Sequence, residues 1–178
     1  MMEKVANKTD KILLDDKKIS IALMASFVIL TIQYFVLIFF AFIGTPIGAA
    51  IQLLSKGLVG STFVYALVPV LKRNKIRFIA VYFIAIFIFL LHYIIFPENK
   101  TYMLELFFPI FFMSLPSFIY GLSIQEFSVL KEIMKKSSYI ILVLGVLLGG
   151  LIFTGKASVG AYSMSLSYYM LLPSIIFF

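Results

Sequence analysis

Between residues 19 and 55 the chain carries no Asp, Glu, Lys or Arg. No other feature limits the fold so severely. An apolar helix crosses a bilayer in about 20 residues, so this stretch is too long for one crossing. Gly44, Thr45 and Pro46 interrupt it, and glycine and proline are the residues that punctuate helices. We read a first span at about 19–43 and a second at about 47–71. Lys72, Arg73, Lys75 and Arg77 then form a basic loop. A third span at about 76–95 ends at Phe96-Pro97-Glu98-Asn99; further spans follow at about 104–124, 138–154 and 162–178. The expected fold is all-α: a polytopic transmembrane helix bundle of about six spans, the last one truncated.

Composition agrees. Hydrophobic residues make up 62% of the chain and charged residues 13%, against roughly a quarter charged in soluble domains. Mean hydropathy is +1.09. A soluble chain of this size has too much surface to hide so much apolar area. The net charge of +7 sits in short clusters between apolar runs, a pattern of membrane topology that argues against nucleic-acid binding. There is no cysteine and only one histidine, His92. Disulfides and thiolate chemistry are excluded, and neither a metal site nor a cofactor is expected.

The basic residues set the orientation. Lys4, Lys8, Lys11, Lys17 and Lys18 lie in the tail at 1–18. With the four in residues 72–77, and Lys131, Lys135 and Lys136, they put twelve of the fifteen on one side. Lys100 and Lys156 fall on the other, and Lys56 within the second span. The tail is therefore expected in the cytoplasm, followed by an uncleaved signal anchor. The segment 125–136 reads as an amphipathic inner-leaflet helix, with Phe127, Leu130 and Met134 on one face and Glu126, Lys131 and Lys135 turned away.

Lys56 lies about 12 Å inside the second span at 1.5 Å per residue. Intramembrane cations are rare and usually face protein or water. Gln52 precedes it by one turn, and Thr45, Gly48 and Ser55 fall near the same face. Lys56 and Gln52 are the candidate substrate-binding residues, as a polar stripe for an anionic head group. The plainer reading of Lys56 is a side chain snorkelling to the outer interface. His92 reads as an interfacial residue, Glu98 and Glu105 as solvated carboxylates, and Lys156 as a lone loop cation. Pro109 and Pro116, seven residues apart, bend the fourth span so that both kinks open toward a similar face. Gly145 and Gly149 form a G-x-x-x-G packing motif. Ser163, Ser167 and Ser174 share a face near Pro173 and read as interhelical glue. No nucleotide-binding loop, nucleophile elbow or metal cluster occurs.

The run Tyr162-Ser163-Met164-Ser165-Leu166-Ser167-Tyr168-Tyr169-Met170-Leu171-Leu172-Pro173 resembles a segment of the O-antigen polymerase and ligase-like family. More narrowly, it is similar to the Wzy-type oligosaccharide repeat unit polymerases of capsule clusters. The order of Phe108-Pro109, Leu115-Pro116-Ser117-Phe118, an inner loop, a glycine-rich span and a short outer loop is similar too, as is Gln52-Leu53-Leu54-Ser55-Lys56-Gly57. The resemblance implies a multi-pass glycosyltransferase of the bacterial cytoplasmic membrane. Such an enzyme joins repeat units carried on undecaprenyl diphosphate to make capsular or surface polysaccharide. It works on a lipid-linked oligosaccharide, without nucleotide sugar, beside a flippase and a chain-length regulator.

Family members are usually longer, with arginines in later outer loops. Here Arg73 and Arg77 are the only arginines, and both lie on the cytoplasmic side of this reading. No catalytic residue is carried over, and the chain is expected to correspond to the N-terminal part of such a polymerase. Two other classes fit the bare residues. One is a small-solute transporter or transporter subunit binding at Lys56 and Gln52. The other is a non-catalytic membrane accessory or immunity protein.

Overall fold

A computed structural model describes residues 2–42, 48–155 and 170–176. The expected interruption at Gly44, Thr45 and Pro46 lies outside these residues, as do Lys156, Ser163 and Ser167. Among the described residues the fold is all-helical, without strands. Helix α1 is Met2–Phe42 and α2 is Gly48–Ile95. A short 3-10 turn, Pro97–Asn99, leads into α3, Lys100–Pro109. A π-turn at Ile110–Ser114 separates α3 from α4, Leu115–Ser123. Helix α5 is Phe127–Phe153, and residues 170–176 are again helical.

Among the described residues four segments are long and apolar enough to cross a membrane: Thr9–Phe39, Gly48–Ile95, Pro97–Ser123 and Phe127–Phe153. The second is the unusual one. Its 48 residues would extend about 72 Å at 1.5 Å per residue, more than twice a hydrocarbon core of about 30 Å. It is not one regular helix. Asn74 has φ −134° and ψ 33°, a non-helical conformation within the basic cluster of residues 72–77. Asparagine suits such a break because its amide competes for backbone partners.

The ends of the other elements have local causes. Pro97 has no N–H and biases the residue before it away from the helical region; Phe96 accordingly has φ −115° and ψ 74°. Gly155, at φ 69°, follows α5 in the left-handed conformation and donates its N–H to the Ile152 carbonyl at 3.0 Å. Glycine adopts that conformation without steric cost. Residues 2–18 continue the same helix as the apolar residues after them. The amphipathic residues 127–136 likewise run without a break into the apolar part of α5.

The chain forms two compact units. One comprises Met1–Leu23 and Gly60–Glu126; the other comprises Met24–Val59 and Phe127–Phe178. In the first, Phe63, Ala66 and Val70 are buried at helical spacing on α2, together with Ile19 and Ala22 of α1, Phe111, and Ile119 and Tyr120 of α4. Tyr120 sets its ring edge-on to Phe63 at 5.0 Å and 87°, and its hydroxyl donates to the Phe63 carbonyl. In the second unit, Ile38, Val59, Ile141 and Leu148 are buried beside Ser26, Thr31, Ser55, Ser137 and Ser138. Several hydroxyls here bond their own helix. Thr31 donates to Phe27 O at 2.9 Å, Ser138 to Met134 O at 2.8 Å and Ser174 to Met170 O at 2.9 Å. That back-bonding satisfies a hydroxyl in apolar surroundings without a partner helix.

Candidate functional site

Gln52 and Lys56 sit one turn apart on α2, and both are exposed. Ser55 is not on their face. It is buried, at 5% exposure, and its hydroxyl meets Gln33 Oε1 of α1 and the Gln52 carbonyl at 2.9 Å. A hydroxyl has one proton to give. It goes to Gln33 Oε1, with the Gln52 carbonyl within reach as the alternative acceptor. This pair lies in an apolar recess of about 240 Å³ whose other walls are Ile29, Ile32 and Val36 on α1 and Ile51, Leu54 and Leu58 on α2. The polar stripe therefore divides in two: an outward pair, Gln52 and Lys56, and an inward pair, Ser55 and Gln33.

The remaining candidates are scattered. His92 is half-buried with its ring 4.7 Å from Phe96. Lys100 lies over the Tyr93 ring at 5.2 Å, a cation–π contact. Glu98 and Glu105 are exposed. Gly145 and Gly149 differ: a Cβ on Gly145 would come within 2.3 Å of Met170 Sδ, whereas one on Gly149 would meet nothing within 4 Å. Among the described residues no group of three or more His, Cys, Asp or Glu could hold a metal ion.

A second polar cluster was not legible beforehand. Asp16 of α1 is fully buried and pairs with Arg73 of α2, whose side chain is 12% exposed. Two backbone N–H groups also point at the carboxylate. Gln125 donates to Oδ1 at 3.2 Å and Glu126 to Oδ2 at 2.9 Å. Arg73 spends its other donors on carbonyls, Nη1 to Ser123 O at 2.8 Å and Nη2 to Ile12 O at 3.1 Å. Asn74, at the helix break, donates Nδ2 to Ser123 Oγ at 2.8 Å, and Ser123 donates to Ile119 O at 2.7 Å. Three chain segments thus meet on one carboxylate and one guanidinium. A charge removed from water is tolerated only when paired and fully hydrogen-bonded, and both conditions are met here. The cluster has the chemistry of a clamp. The carboxylate is already engaged by the guanidinium and two amides.

Comparison with protein-family models, curated proteins and solved structures returns no match. The fold and composition define the class: a chain all-helical among its described residues, with long apolar helices that suit a lipid bilayer.

Proposed function

We propose that this chain is a multi-pass protein of a bacterial cytoplasmic membrane that acts in polymerising oligosaccharide repeat units carried on undecaprenyl diphosphate. In this reading six spans cross the membrane with the N-terminus inside, and a flippase and a chain-length regulator work beside it. The observation that carries the reading is the exposed pair Gln52 and Lys56 on α2, where Lys56 is the one charged residue between residues 48 and 71. A cation costs roughly 2.5–3.5 kcal/mol at the centre of a membrane helix, and such residues usually meet water or an opposite charge. Lys56 supplies the positive charge that a diphosphate head group requires, and Gln52 supplies amide donors one turn away. The sequence order around Phe108-Pro109 and Leu115-Pro116 and the run from Tyr162 to Pro173 support the same family reading.

The test is genetic and chemical. In a strain that assembles a surface polysaccharide with this chain, deletion of the gene is expected to leave single lipid-linked repeat units in place of long polymer. Lys56→Ala is expected to shorten or abolish polymer with the protein level unchanged on immunoblot. Normal polymer in the deletion strain would refute the function. Normal polymer in Lys56→Ala alone would remove only the head-group contact.

A further inference from the structure

The segment from Lys100 to Ser123 is two helices and a discontinuity, and the two halves are held very differently. Pro109 has no N–H to give to the carbonyl one turn before it. After it comes the π-turn Ile110–Ser114, where the Leu115 N–H reaches the Ile110 carbonyl five residues back. One residue further in the same register, the Phe111 carbonyl would need the N–H of residue 116. Residue 116 is Pro116, which has none. Tyr82 of α2 fills the gap: its hydroxyl donates to the Phe111 carbonyl at 2.9 Å.

On one side of this turn, α4 is anchored by hydrogen bonds. Tyr120 donates to Phe63 O, and Ser123 accepts from Asn74 and Arg73, each at 2.8 Å. Pro116, Ile119, Tyr120 and Ser123 are buried. On the other side, no residue of α3 is buried. Its ring contacts to α2 are Phe107 against Phe89, with centroids 5.5 Å apart, and Lys100 over Tyr93 at 5.2 Å. Apolar contact is non-directional, whereas hydrogen bonds lose strength steeply with angle. Sharp helix bends occur at prolines and π-bulges, and π-bulges are frequent at functional sites.

We propose that Ile110–Ser114 is a pivot about which α3, Lys100–Pro109, swings against α2, and that the Tyr82 hydroxyl on the Phe111 carbonyl is the catch that holds the seen arrangement. The anchored half, α4, is the fixed side of the hinge. This device is independent of any substrate assignment.

The native chain has no cysteine, so paired spin labels are unambiguous. Labels at Ile76 and Thr101 report the arm; labels at Ile76 and Phe118 report the fixed half. All three positions are exposed. In lipid nanodiscs, Tyr82→Phe is expected to add a second distance population to the arm pair and to leave the control pair unchanged. Pro116→Ala restores an N–H for the Phe111 carbonyl, so Tyr82→Phe combined with Pro116→Ala is expected to return the arm pair to one population. An unchanged arm distribution in Tyr82→Phe overturns the pivot. So does equal broadening of both pairs, or a double variant that stays broad. Should Tyr82→Phe fail to fold, hydrogen exchange on the unmutated chain decides. Amides of residues 105–114 are expected to exchange faster than those of 117–123, and the opposite order overturns the proposal.

Discussion

Asp16 and Arg73 stand 57 residues apart and form an ion pair in which the carboxylate is wholly buried. The carboxylate also takes the amides of Gln125 and Glu126. Removing one partner of a buried pair typically costs about 3–5 kcal/mol, because the other charge is left unpaired. We therefore expect Asp16→Asn or Arg73→Met to lower stability by about that amount, measured as loss of monodisperse protein on heating in detergent. Exchanging the charges, Asp16→Arg with Arg73→Asp, is expected not to rescue. A guanidinium at position 16 cannot accept from the two amides. Full rescue by the exchange would show that pair attraction alone holds the cluster.

Tyr120 separates ring packing from hydrogen bonding. Its side chain is 1% exposed, its ring meets Phe63 edge-on, and its hydroxyl donates to the Phe63 carbonyl. Tyr120→Phe keeps the ring and is expected to cost about 1 kcal/mol. Tyr120→Ala also opens a cavity and is expected to cost about 3–5 kcal/mol. The same melting assay checks both, and equal effects would mean that the hydroxyl carries the whole contribution.

The sequence displayed some of this plainly and hid the rest, for a physical reason. Prolines act through covalent geometry, so Pro97 marks the end of α2 and Pro109 and Pro116 bracket the broken segment wherever the rest of the chain lies. The length and apolarity of α1, α2 and α5 are equally local. Pairing between distant side chains is not local. Asp16 reads as one more charge in a tail with five lysines until packing brings Arg73 to it. Ser55 and Lys56 are neighbours in a polar stripe until the helix is set beside Gln33, which takes one and leaves the other outside. The Tyr82 contact depends on the register of a π-turn, and neither tyrosine nor proline announces that register alone.

The two glycines of the G-x-x-x-G motif are expected to respond differently to the same substitution. Alanine is favoured over glycine inside a helix by about 1 kcal/mol. At Gly149 a Cβ meets open space, so Gly149→Ala is expected to be neutral or stabilising by up to about 1 kcal/mol. At Gly145 the Cβ runs into Met170 Sδ. That thioether is the flexible end of its side chain and can turn aside, so the helix gain and the displacement largely offset each other. Gly145→Ala with Met170→Ala is expected to melt higher than Met170→Ala alone, because the obstacle is gone. If Gly149→Ala proves the more damaging of the two single changes, the second glycine is the one that packs.

The extent of α2 yields the sharpest topological prediction. At about 72 Å it is long enough to cross a core of about 30 Å twice, and its non-helical residue, Asn74, lies amid Lys72, Arg73, Lys75 and Arg77. If it crosses twice, Asp10 and Glu98 lie on opposite sides of the membrane, and Lys75 lies on the side of Asp10. If it crosses once, Asp10 and Glu98 share a side. Single cysteines at Asp10, Lys75 and Glu98 in the cysteine-free chain distinguish the cases with a membrane-impermeant maleimide. We expect Glu98→Cys to react in intact cells, and Asp10→Cys and Lys75→Cys to react only after lysis. Labelling of Asp10→Cys in intact cells would invert the orientation. Protection of Glu98→Cys together with Asp10→Cys would mean that α2 crosses once, with the basic residues around Asn74 lying within or beyond a single long crossing.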